Sequence, residues 1–213
     1  MRAEAGPNEA EDRGQKLRQA ELDRHTDALL SFAEQVRQDS PDAGVCTLIL
    51  RSAKSAPARA LTQMKDTLVA AGIQVNVILL KVDPEEELHE LLATLNALAP
   101  GTDIATLVRW ARHPRLVDAH EQAVYGSELC WTGDAVRRDA DKGNPLALFE
   151  STPDAIVRGA HAFRALWAIS ESVPAHLLDM RASACRANTD EKATVAPVAA
   201  LSPPAEGWPL VRH

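Results

Sequence analysis

The spacing of apolar positions changes several times along the chain, and each change marks an element. Leu22, Leu29, Phe32, Ala33 and Val36 fall on one helical face. They predict a helix over residues 20–39, closed by the breaker run Ser40-Pro41-Asp42. The run VCTLIL at 45–50 is continuous and β-branched or aliphatic, as in a strand buried on both faces. Ser55 then stands at an N-cap and Pro57 just inside the following helix. Leu61, Met64, Leu68 and Ala71 supply its stripe, and Gly72 stops it. Residues 73–82 (IQVNVILLKV) read as a second strand. Asp83 caps the next helix, Pro84 opens it, and Glu85, Glu86 and Glu87 fill the first turn, where the helix dipole favours acids. Its buried face is Leu88, Leu91, Leu92, Leu95 and Leu98, and residues 104–110 are expected to form a third strand.

The alternation then lapses. Residues 115–118 and 121–125 are short extended segments with no helix between them, and 133–144 is a polar loop. Residues 146–149 read as one more strand. Thr152 and Pro153 begin a final helix striped by Ile156, Ala160, Phe163 and Trp167. The expected fold is α/β, in the order β-α-β-α-β-β-β-α: a mainly parallel sheet flanked by helices over residues 44–173, preceded by an N-terminal helix. Residues 1–19 are charged and 175–213 are rich in Ala, Pro, Ser and Thr. Neither can bury enough surface to offset ordering entropy, so a disordered lead-in and a disordered tail are expected.

Composition narrows the function classes. A net charge of −7 argues against nucleic acid or an anionic membrane as the partner. No apolar run reaches bilayer length, and the N-terminus has no apolar signal-peptide core. Cys46, Cys130 and Cys185 are scattered, without CxxC, which speaks against a disulfide framework or a zinc site and fits a reducing cytoplasm. Walker A, GxGxxG, HExxH and GxSxG patterns are absent, so no cofactor and no metal are expected.

Residues 104–150 hold most of the groups capable of chemistry. His113, His120, Gly126-Ser127 and Cys130 lie close in sequence. Cys130, next to Trp131, is expected to be a semi-buried structural thiol, with a reactive thiol as the alternative; His120 is expected to be exposed, and His89 and His161 surface or boundary residues. Arg109, Arg112, Arg115, Arg137 and Arg138, with Trp131, could form a local anion or partner site, because guanidinium groups hold oxyanions by paired hydrogen bonds.

The same stretch resembles one half of the phospholipase D superfamily. His113-Pro114-Arg115-Leu116-Val117-Asp118 stands where that family carries HxK, and residues 119–125 stand where its next strand would lie. Gly126-Ser127-Glu128-Leu129-Cys130-Trp131 resembles its Gly-Ser-x-Asn-Trp ending, and Phe163-Arg164-Ala165-Leu166-Trp167 its closing-helix pattern. The resemblance covers about residues 45–170. It implies a phospholipase D-like half-domain, with His113 as nucleophile and Arg115 and Ser127 beside it as the catalytic candidates. The departures are that Arg115 replaces Lys, Asp118 comes early, and the Asn is missing. That family's chemistry also needs two histidines from two halves, which this chain could supply only as a homodimer. The expectation is therefore a non-catalytic regulatory or protein-binding domain with a protein partner. The alternative is a homodimeric phosphodiesterase or nuclease using His113.

Overall fold

Among the described residues, seven strands join in one sheet in the order β6-β5-β4-β1-β2-β3-β7. The computed structural model describes residues 7–39, 44–82, 88–113, 119–133 and 148–178. The chain runs through α1 (Pro7–Asp39), β1 (Val45–Leu50), α2 (Ala56–Gln63), α3 (Lys65–Ala71) and β2 (Gln74–Leu79). It continues through α4 (His89–Leu98), β3 (Val108–Trp110), β4 (Gln122–Tyr125), β5 (Leu129–Thr132) and β6 (Leu148–Glu150). It closes with α5 (Pro153–Ile169), β7 (Glu171–Ser172) and α6 (Ala175–Leu178).

The α/β class is as expected, but the sheet is mixed rather than mainly parallel. Only β1–β2 and β2–β3 pair in parallel. The pairs β1–β4, β4–β5, β5–β6 and β3–β7 are antiparallel. A parallel pair needs a long crossover, usually a helix. No helix is described between β3 and β4, and β4 enters beside β1 in the opposite sense. A turn then returns the chain as β5. Gly126 opens that turn at φ +58, and a Cβ there would stand 2.5 Å from the Phe32 ring, so both the backbone and the space require glycine.

Strand alternation sorts the two faces. Cys46, Leu48, Leu50, Val75, Val77, Leu79, Tyr125 and Trp131 face α1 to α4 in the larger core. Ile49, Ile78, Leu80 and Ala111 face α5 through Phe163 and Leu166. α5 is held by its sequence signals: Thr152 Oγ1 accepts from Ala155 N–H at 3.4 Å, and Pro153 opens the helix. It also lies very close to the sheet at Gly159, whose carbonyl accepts from Gln122 Nε2 at 2.7 Å.

Three further expectations change. The lead-in expected to be disordered is helical from Pro7 onward. Once the packed half of α1 is nucleated, extension adds a hydrogen bond per residue. Ala, Glu, Gln and Lys favour it, and Lys16–Asp12 and Gln19–Asp23, both 2.8 Å, add small local support. The expected single helix after β1 breaks at Met64, where φ −92 and ψ 6 leave the helical region. The third strand shortens, because the Asp103 carboxylate accepts from Ala105 N–H at 2.9 Å and draws Ile104–Thr106 into a 3-10 turn. Residues 83–87, 114–118 and 134–147, which carry parts of three expected elements, lie outside the described residues, as does the tail from 179.

Candidate functional site

In open α/β sheets, ligands bind outside the carboxyl ends of the strands, where the strand order reverses. Here the chain steps from β1 to β2 to β3 and then returns to the far side of β1 as β4. The reversal therefore lies at the β1–β4 boundary. Leu50, Leu79 and Trp110 share one register row across β1, β2 and β3. Bonds from Leu80 N–H to Leu50 O (2.8 Å) and from Ala111 N–H to Leu79 O (2.9 Å) extend the ladder past that row. Arg51, Lys81 and Arg112 follow within two residues of it. Neighbouring strands lie about 4.8 Å apart, so these three backbones span only about 10 Å. His113 and His120 are exposed at the same end.

Glu121 enters at the reversal point itself. Its Oε1 accepts the Arg51 backbone N–H at 2.9 Å, continuing the β1–β4 seam with a side chain. Its carbonyl accepts from Gly133 N–H at 2.8 Å on the other side. The Arg51 guanidinium reaches the Ala119 carbonyl at 3.5 Å. Burial raises the Glu121 carboxyl above its ordinary range, against the pull of the Arg51 N–H and charge and of the nearby Ser55 hydroxyl. That hydroxyl is itself buried without a hydrogen bond of full geometry. A carboxyl perturbed by desolvation, with a specific cationic neighbour at the end of a strand, marks a functional-site candidate.

The sequence-derived candidates disperse. His113 is exposed at the strand ends. Ser127 is exposed in the β4–β5 turn, which starts where Gly126 N–H donates to Val45 O at the beginning of β1. It lies at the opposite end of the sheet from His113, so the two do not meet within one chain. Arg109 is a brace: it donates to Ser170 O at 3.1 Å, and its guanidinium stands 5.0 Å from the Trp167 ring centre. Arg112 is exposed, lies over Trp110 at 5.5 Å and pairs loosely with Glu171 at 3.7 Å. Trp131 cannot contact a partner, because it is 1% exposed on an interior strand beneath α1. Cys130 is buried, and burial raises its thiol, which suits a structural role. Arg115, Arg137 and Arg138 lie outside the described residues.

Protein-family models, curated proteins and solved structures contain no match to this chain. The site rests on its own geometry. Among the described residues no cluster of three or more His, Cys, Asp or Glu is placed to hold a metal ion. No helix among them is long and apolar enough to cross a membrane.

Arg51 and Glu121 carry the site and were not singled out by sequence reading. The available signal was position: Arg51 is the first polar residue after the apolar run VCTLIL. A second group also escaped notice. His25 is fully buried on the α1 stripe, with Nδ1 2.6 Å from Tyr125 Oη and its ring edge-on to Trp131 at 4.5 Å. A cavity of about 290 Å³ opens beside it between α1 and the β4–β5 turn, lined by Ser31, Phe32, Gln35, Tyr125 and Glu128. It lies at the end away from Arg51 and Glu121, separated by four residues of β4, roughly 13 Å. Its shallow polar rim offers no charge pair that could do chemistry.

Proposed function

We propose that this chain is a non-catalytic recognition module that holds an oxyanion, such as a phosphorylated or acidic segment of a protein partner, at the carboxyl ends of its parallel strands. One observation carries the reading. Arg51, Lys81 and Arg112 leave three adjacent strands at nearly one level, beside the point where the strand order reverses. Cations that follow adjacent strands at one end of a rigid sheet suit oxyanion binding, and they stand out against an overall charge of −7. Catalysis is a weaker reading, since a phosphodiester attack needs a nucleophile, charge neutralisation and an acid for the leaving oxygen. His113 has no Ser127 beside it in the same chain. The succession of a β-α-β-α-β core, an antiparallel run and a closing helix supports viewing the chain as a phospholipase D-like half-domain with an eroded site. Free, buried Cys46 and Cys130 suit a cytoplasmic setting.

The test is binding of inorganic sulfate by calorimetry at low ionic strength. Arg51→Ala and Lys81→Ala should each weaken it, and added salt should weaken it further. Hydrolysis of a simple phosphodiester that disappears on His113→Ala would overturn the reading and establish a homodimeric phosphodiesterase.

A further inference from the structure

We propose that Glu121 is a built-in competitor for the anion site, so that oxyanion binding is coupled to proton uptake at this residue. The inference rests on the reading above and deepens it. Its basis is the place the carboxylate occupies. Glu121 Oε1 accepts the Arg51 N–H at 2.9 Å where β1 ends, as an oxygen of a bound oxyanion would. The Ser55 hydroxyl, buried and without a full hydrogen bond, lies on the same side, at the entry to α2. Glu121 thus takes up a backbone donor at the start of the β1–α2 loop with a negative charge of its own, beside the Ser55 hydroxyl.

A second anion drawn to Arg51, Lys81 and Arg112 meets that charge at short range in a partly desolvated place, where like charges repel strongly. Protonation removes the repulsion and turns one carboxyl oxygen from acceptor to donor. Burial makes the change easier than at a surface carboxyl, since it already favours the neutral acid. Linkage requires the reverse as well: a bound oxyanion must raise the proton affinity of Glu121.

The groups that face this residue must be separated from it in any test. Arg51 and Ser55 of the β1–α2 loop act on it directly and His120 precedes it on the chain, while Lys81, Arg112 and His113 follow β2 and β3, further along the sheet end. A charged imidazole also attracts anions, so His113 and His120 are the competing explanation.

Sulfate is the probe, because its charge is constant from about pH 5.5 to about pH 7.5, and binding is measured on the full chain at both values. Glu121→Gln keeps an acceptor for the Arg51 N–H and removes the charge. It should bind sulfate about tenfold more tightly than the wild type at about pH 7.5 and lose most of the affinity gain on acidification. The double variant His113→Ala/His120→Ala should keep that gain. Should Glu121→Gln not fold, the side-chain carboxyl signal of wild-type Glu121 decides by NMR: its titration midpoint should move up when sulfate is added. Unchanged affinity in Glu121→Gln, or a midpoint indifferent to sulfate, overturns the inference while Arg51- and Lys81-dependent binding leaves the recognition reading standing. No sulfate binding to either protein overturns both.

Discussion

Mild acid should destabilise this protein through His25. The imidazole lies in the interface between α1 and the β4–β5–β6 part of the sheet, is 0% exposed, and touches Tyr125, Trp131 and Phe149. Its Nε2 has no hydrogen-bond partner, so a charge there would be buried without compensation. Burial accordingly lowers its pKa from 6.5 to about 3. The unfolded chain takes up the proton first. The stability tied to neutral His25 is complete above 6.5 and is lost as the pH falls from there toward about 3. Each pH unit in that window removes about 1.4 kcal/mol. The loss is about 2 kcal/mol at about pH 5 and approaches about 5 kcal/mol at the acid limit. A domain holds about 5–15 kcal/mol in total, so even the first figure is large. Tyr125 and Cys46, the titratable neighbours, are raised by burial and stay neutral throughout. The measurement is urea unfolding of the wild type and His25→Leu at about pH 7.5, 6 and 5. Leucine leaves the Tyr125 hydroxyl unpaired, costing about 1–3 kcal/mol at every pH. Carboxylate effects cancel in the difference. The advantage of wild type over variant should shrink by about 2 kcal/mol from about pH 7.5 to 5; parallel pH curves would refute the reasoning.

Gly159→Ala should destabilise by about 1–2 kcal/mol, because the new Cβ would stand 2.8 Å from both Cys130 Sγ and Gln122 Nε2, and overpacking outweighs the helix propensity gained. A higher urea midpoint for Gly159→Ala would show that α5 can lift from the sheet without cost. Phe163→Ala should cost about 3–5 kcal/mol, since the ring is 6% exposed against Ile49 and Ile78. Trp167→Ala should cost less, about 1–2 kcal/mol, because the indole is half-buried, stacked on Phe163 at 5.4 Å with Arg109 on it. Equal losses in thermal unfolding would place both rings in the core.

What could be read from the chain was local. The run VCTLIL, the Thr152-Pro153 start and the leucine stripe of α4 each carry their signal within one or two turns, and each formed as expected. Trp131 misled for a physical reason. An aromatic in a polar stretch suggests a contact surface, but the strand that bears it runs between β4 and β6 with α1 across its face. His25 misled in the opposite sense. It sits between Leu22 and Leu29 on the apolar stripe, yet a polar side chain is not counted as core until its partner is known, and Tyr125 is 100 residues away. Ser127 depended on strand direction. Alternation announces a strand without saying which end it shares with its neighbour, and reversing β4 carries the β4–β5 turn to the far end from His113.

For the same reason, the proposed anion site is legible only in the fold. Its central contact joins Arg51 and Glu121 across 70 positions of sequence. Neither residue belongs to a short motif, and each alone reads as a surface charge flanking a strand. The pairing exists because β4 lies antiparallel beside β1, which places the residue before β4 next to the residue after β1. Had β4 entered in parallel, Glu121 would lie at the start of β1 and Arg51 would face solvent. The direction of one strand thus decides whether a carboxylate guards the basic end of the sheet, and Glu121→Gln tests that consequence of topology directly.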